Sequence, residues 1–365
     1  MNKMKNRRYI FRLLGVVSIL LHAGACAKLD NVPEDRQHEI KIDKLRTKAG
    51  SEAYPTGGIF GVYAYHVDAP TGTNRVQEWN VASSTSYLEN VAFKYNGSMA
   101  TGWNFTTGSA SPYYWPLSGS LVFAGYSPHI QASSSTISSV SFVDNLTSGR
   151  PENPHLIISF KQNANPDDMV ELLYFTMMST TVDNSSGPVE MAFSKAVSKV
   201  TVSFKDPNGY YNIRNVKLKG CIDKGNFYAS VESPGWNPDL GSLADYDILT
   251  VKTQLSSVPV ECSSLLPLPQ FLDGYYPSLG KGTGKGVSIA FEVVDKTDDH
   301  FYTELEYKLY PYDDGNGNMM NSGLPSRWQP GKHYSYVFTI ESDPIEFDNP
   351  SVTIMAYEID NPDII

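Results

Sequence analysis

The chain has 365 residues, with 29 Lys and Arg against 39 Asp and Glu, and a formal charge of −10. That acidity excludes a phosphate-backbone partner such as nucleic acid, and 23 Tyr, 16 Phe, 28 Gly and 23 Pro exclude a disordered or coiled-coil chain. Three cysteines leave no room for a metal cluster of three or four thiolates once the cysteine near the N-terminus is set aside.

In chain order, a basic start (Lys3, Lys5, Arg7, Arg8, Arg12) leads into a nine-residue apolar core, Leu13 to Leu21, and then into Ala23-Gly24-Ala25-Cys26. Spanning a bilayer takes about 20 apolar residues, so residues 1–25 predict an export leader rather than a transmembrane anchor. A cysteine directly after small residues is where bacterial lipoprotein leaders are cut and the new N-terminus acylated. Cys26 is therefore the expected lipidation (palmitate) site, although Ala23 stands where such leaders usually carry Leu. An ordinary signal peptide cut after Ala25 is the other reading, and it also ends in export. Loss of residues 1–25 removes five basic groups and leaves 24 basic against 39 acidic, or −15. Such a surface also repels anionic headgroups, so membrane attachment would rest on acyl chains.

Residues 26–50 are rich in charge, carry Pro33 and no aromatic residue, and predict an N-terminal tether or pro-segment with a first strand near Ile40 to Ile42. Beyond them, short alternating runs separated by Gly and Pro predict an all-β chain. Leu121 and Phe123 oppose Val122, Ala124 and Tyr126. His155 to Lys161 reads as a strand, and Val200, Val202 and Phe204 share a face opposite Thr201 and Ser203. Further strands are expected at Asn212 to Lys219, Gly286 to Val294, Tyr302 to Tyr310, His333 to Glu341 and Ser351 to Glu358. The polar cluster Val182 to Pro188 marks a boundary. The expected organisation is one β-sandwich over 51–185 and a second over 186–365. Cys221 and Cys262 can form a disulfide in an exported protein or remain two buried thiols, and the spacing leaves both open.

Motifs for chemistry fail on spacing. Around Gly280-Lys281-Gly282-Thr283-Gly284-Lys285-Gly286 the phosphate-loop pattern breaks, with Leu279 five residues before Gly284 and Gly286 after Lys285. If Asp314 opened a calcium loop, Met319 and Pro325 would hold the positions of Gly and Glu, so Asp313 to Asn318 reads as a hairpin turn. The histidines are scattered, no Gly-x-Ser-x-Gly elbow occurs, and neither metal nor cofactor nor enzymatic activity is expected. Trp79, Trp103, Trp115, Trp236 and Trp328 are expected mainly in the core. Exposed on a surface they would stack on sugars, which is the rival reading of a surface glycan-binding lipoprotein.

Four stretches together resemble the fimbrillin families of Bacteroidetes, the subunits and associated lipoproteins of the type V pilus. They are Tyr114-Trp115-Pro116 with Leu121 to Pro128; Asp168 to Tyr174; Val189 to Phe193 with Ser198 to Val200; and Leu266 to Gln270 with Trp328 to Tyr336. Lys195 departs from the His of many relatives. The resemblance implies two transthyretin-like sandwiches, a lipid anchor on the outer membrane, display in a fimbrium, and other pilus subunits as partners, with host or bacterial surfaces as ligands. In pilus-forming members an Arg-specific protease removes the lipidated segment with its first strand, and a neighbouring subunit donates a strand to the groove. Here Arg46 is the first candidate for cleavage and Arg36 the second. The strand from Val352 to Ala356 is expected either to complete the C-terminal sandwich or to be donated.

Overall fold

The structure, a computed structural model, describes residues 39–40, 42–47, 50–53, 58–67, 84–95, 103–105, 113–117, 120–132, 135–143, 155–175, 189–230, 233–297, 302–341, 346–347 and 350–356. Nearly all of them are β. The largest sheet has eight strands in the order β2 (Gly50–Ala53), β1 (Ile42–Thr47), β10 (Val189–Lys195), β9 (Leu173–Phe175), β6 (Ser120–Ser127), β3 (Ile59–Val67), β4 (Ser84–Tyr95) and β5 (Trp103–Phe105). A four-stranded sheet runs β14 (Gly235–Pro238), β13 (Lys224–Ala229), β8 (His155–Lys161) and β7 (Ile137–Val143). These two sheets enclose one core, in which Tyr63, Val122, Ala124 and Tyr126 meet Ile137, Leu156, Ile158 and Phe227.

The eight-stranded sheet is buried on its other face as well. Phe60, Val62, Leu121, Phe123, Leu173, Phe175, Met191 and Phe193 form a second cluster, closed by Ile40 and Trp115. The run Leu121 to Ala124 is therefore apolar at every position because successive side chains enter different cores.

A second sandwich follows. One sheet runs β17 (Val260–Glu261), β11 (Lys199–Lys205), β24 (Lys332–Glu341) and β25 (Glu346–Phe347), with β26 (Ser351–Ala356) also on β24. The other runs β15 (Leu243–Leu249), β12 (Tyr211–Ile222), β20 (Ser288–Asp295) and β21 (Tyr302–Lys308), with β16 (Thr253–Gln254) on β12. β11 and β24 are parallel over seven register pairs, Lys199↔His333 to Lys205↔Thr339. Phe204 stacks on its partner Phe338 at 5.1 Å and meets Phe291 of the facing sheet at 4.9 Å. The small hairpins β18 (Tyr275–Tyr276) to β19 (Lys281–Gly282) and β22 (Tyr312–Asp313) to β23 (Met319–Met320) lie outside the sheets.

The sheets do not divide at 185/186. β10 continues the eight-stranded sheet, and β13 pairs with β8 over six residues, so 189–195 and 224–238 belong with the first sandwich. Long-range pairing decides this, and the polar sequence cluster at 182–188 carries no information about it. The expected tether is also structured in part, since β1 replaces the strand foreseen at Ile40 to Ile42 and begins where that one was to end.

The stretches Ser198 to Val200, Leu266 to Gln270 and Trp328 to Tyr336 meet in space. Ser198 N–H donates to Pro267 O, Trp328 N–H to Gln270 O, and Ser198 Oγ to Gln329 O. The Tyr-x-Tyr strand serves the tryptophan turn: Trp328 Nε1 donates to the Tyr336 hydroxyl at 3.0 Å, and Tyr334 accepts from Gln329 N–H.

Gly61 of β3 sits directly under the ring of Tyr126, its register partner. A Cβ there would lie 2.4 Å from Tyr126 Cε1, and Tyr126 is fully buried with its hydroxyl held by Asn90 Oδ1 at 2.8 Å. Gly61→Ala is expected to destabilise the protein by about 1–3 kcal/mol, read as a lower guanidinium midpoint at unchanged slope.

Candidate functional site

β1 occupies an interior slot of the eight-stranded sheet. It runs parallel to β10 (Ile42↔Val189 to Thr47↔Phe193) and antiparallel to the four-residue β2. Both pairings are irregular, with a register shift between Asp43 and Leu45 on one side and between Arg46 and Thr47 on the other. Parallel pairing is also slightly weaker per residue than antiparallel pairing. β1 is thus a short strand held through an interrupted ladder.

Arg46 belongs to this strand, opposite Ala192 of β10 and Ala53 of β2, rather than to an exposed stretch following a strand. Lys44 and Arg46 resemble linker residues in sequence, but an open edge on β10 extends the strand through them. Cys26 and Arg36 lie outside the described residues.

Just before β1 the chain is pinned by the aromatic run at 113–115. Glu39 bridges to Tyr114, Ile40 N–H donates to Tyr113 O at 2.8 Å, and the Ile40 side chain is 3% exposed in the cluster with Trp115. Tyr87 donates its hydroxyl to Tyr114 O and steadies that run. The partnership of Ile40 with residues 113–115 had no local signal in sequence. β10 lines the floor of the slot: Val189, Met191 and Phe193 are buried, and Phe193 meets Phe60 edge-on at 5.6 Å.

At the end of β10, the Lys195 ammonium lies 3.0 Å from Glu171 Oε1, with Lys195 buried and Glu171 partly exposed. The departure at 195 therefore has its own counter-charge, drawn from the acidic stretch that leads into β9.

β26 is the opposite case of a strand held mainly by backbone. It pairs antiparallel with β24 from Lys332↔Ala356 to Val337↔Ser351, yet Ile354 and Met355 are 52% and 48% exposed. Among its described side chains, Val352 packs on the core. The strand thus completes the sheet at an edge while burying little.

Cys221 and Cys262 are both buried and both free, so the disulfide alternative is set aside. Cys221 lies on β12, whereas Cys262 follows β17 and donates its N–H to Val202 O of β11, in the facing sheet. Facing sheets stand about 10 Å apart, beyond the Cα separation a disulfide spans. Burial raises both thiols, that of Cys262 to about 12.

The remaining candidates are structural. Asp313 and Asp314 turn their carboxylates onto the N–H groups of Gly315, Gly317, Asn316 and Asn318 within the β22–β23 turn. The Asn318 side chain, then the Asn316 N–H, holds Asp314 below the usual carboxylate range. Lys281 and Gly282 form β19. Trp115 and Trp328 are core, and Trp236 donates Nε1 to Ala196 O while packing on Phe160 and Phe227, so none of these three offers a sugar platform. Trp79 lies outside the described residues. Among the described residues, no group of three or more His, Cys, Asp or Glu could hold a metal, and no helix is long and apolar enough to cross a membrane.

Comparison with known proteins finds a match to the model of a fimbrillin-like family over residues 47–355. Among solved structures, the fold is similar to a candidate cell adhesion protein from Bacteroides uniformis, at 12% identity and a TM-score of 0.53, covering 90% of this chain and 100% of that one. It is also similar to a fimbrial protein from Bacteroides vulgatus, at 14% identity and a TM-score of 0.53, covering 88% and 99%. At such identities the likeness is one of fold. No curated protein matches the sequence.

Two outcomes follow for side chains at this site. Lys195→Met strands the Glu171 carboxylate and is expected to cost about 3 kcal/mol, most of it recovered by adding Glu171→Leu, as measured by denaturant titration. A thiol reagent at pH 8 should leave Cys221 and Cys262 unmodified in the native protein and label both after unfolding, with no mobility change on reduction.

Proposed function

The chain belongs to the fimbrillin-like family, and from that membership together with the β1 slot we propose that it is matured by cleavage at Arg46 and polymerises by strand exchange. The family places it at the cell surface as a fimbrial subunit or pilus-associated adhesin, a structural rather than catalytic role. The leader and Cys26 make the precursor a lipoprotein anchored in the outer membrane.

One observation carries this reading. Residues 42–47 fill an interior position of the eight-stranded sheet, beside the buried Val189, Met191 and Phe193 of β10, and the family match begins at Thr47, one residue beyond Arg46. Cutting after Arg46 would detach the segment that holds Ile40 and most of β1. The edges of β10 and β2 would then expose unpaired backbone groups above an apolar floor, which is a template for an incoming strand. Cleavage inside a paired strand requires local opening, and the interrupted ladders on both sides of β1 lower its cost. The donor is β26 of a neighbouring subunit, whose departure from its own sheet withdraws the partly buried Val352 side chain. Arg36 is the second cleavage candidate.

Mass spectrometry of protein recovered from cells tests the reading. The wild-type chain should begin at Thr47 and run as a ladder of polymers. Arg46→Ala should retain an acylated Cys26 and lose the ladder, whereas polymers built from chains that still begin at Cys26 would overturn strand exchange through this slot.

A further inference from the structure

The two outward sheet faces differ in chemistry. On β12, β15, β20 and β21 the face carries ion pairs, Lys217–Asp247 at 3.0 Å, Lys219–Glu306 at 2.6 Å and Arg214–Glu292 at 2.6 Å, as a merely solvated sheet does. The four-stranded sheet instead sets Ser139, Ser159, Asn226 and Asn237 in one register row across β7, β8, β13 and β14. With strands about 4.8 Å apart, this uncharged row is about 14 Å long. The next outward row, about 7 Å along the strands, holds Ile157 and the half-buried Tyr228.

Ser159 Oγ donates to Asn226 Oδ1 at 2.8 Å, which orients the amide and leaves its NH2 for an outside acceptor. A groove of about 470 Å³ lies over Ser159, Asn226 and Asn237 of that row and continues past Lys161, Lys224 and Asp239. Both lysines on its rim have carboxylate partners, Lys224 with Asp239 at 3.6 Å and Lys161 with Asp223 at 3.9 Å.

We propose that this groove is a binding site for neutral glycans. Vicinal sugar hydroxyls both donate and accept, as the side chains of Ser159, Asn226 and Asn237 do. The paired rim charges give a phosphate, sulfate or carboxylate ligand no free counter-ion. The site deepens the adhesin reading and rests on it for its setting at the cell surface, but its test depends on neither cleavage nor polymerisation.

Isothermal titration of the intact mature protein with maltotriose, triacetylchitotriose and lacto-N-tetraose measures it. At least one sugar should bind, and Asn226→Ala with Asn237→Ala should weaken it at least about tenfold without lowering Tm, the loss of one or two neutral hydrogen bonds. Lys217→Ala, on the charged face, should bind as wild type. If the double variant fails to fold, Ser138→Trp, at an exposed position lining the groove, should abolish binding. No binding of any of the three sugars, or undiminished binding in the folded variants, overturns the site. Sugar binding by a protein whose polymers are built from chains still beginning at Cys26 would retain this site and remove strand exchange, and polymers of chains beginning at Thr47 that bind no sugar would do the reverse.

Discussion

A strand covered on both faces has no solvent to satisfy its backbone, so every N–H and C=O along it needs a neighbouring strand. That constraint governs the eight-stranded sheet. β10 carries Val189, Met191 and Phe193 into one core, with Ala192 and Ser194 half-buried on its other face, so an unpaired edge there would lie against buried side chains. Whatever fills the place beside it becomes a condition of the fold. In this chain that place is taken by a segment that ends where the family match begins, lightly held and preceded by the deeply buried Ile40. A sheet that demands a partner and receives a weak one is suited to exchanging it.

The C-terminal edge obeys the opposite logic. β24 alternates Tyr334, Tyr336, Phe338 and Ile340 into the core and is satisfied on its other side by β11 over seven pairs. β26 adds hydrogen bonds but little burial, so its departure would leave that core nearly intact. The place beside β10 and the strand β26 are therefore asymmetric in energy, one costly to leave open and the other cheap to vacate.

Much of this was legible in sequence where alternation was local. β8 matches the expected His155 to Lys161 at both ends, and β24 and β26 begin within a residue of their expected starts. β20 starts at Ser288 rather than Gly286, and Gly286 lies against the Tyr310 ring, where a Cβ has no room. Pairings across distance were not legible. Nothing in Lys224 to Ala229 announces a partner some 65 residues earlier, and the charges at Lys44 and Arg46 concealed a strand whose parallel partner lies at Val189 to Phe193. The free thiols show the same limit, since spacing along the chain says nothing about which sheet each cysteine enters. The polar row on the four-stranded sheet was equally hidden, because its members come from four separate strands.

The adjacency of β10, β11 and β24 sets how the protein bears tension. Only Ala196, Val197 and Ser198 separate β10 from β11, and β11 lies beside β24, which carries β26. Pulled between the β1 slot and β26, the chain transmits force from β10 covalently into β11, across seven parallel pairs to β24, and out. Residues 206–331 lie off that line. Parallel strands drawn from opposite ends are loaded in shear, so their hydrogen bonds share the load instead of breaking in turn. A fibre of such units would have a short mechanical spine, leaving the loops and outer sheet faces free to vary without weakening it.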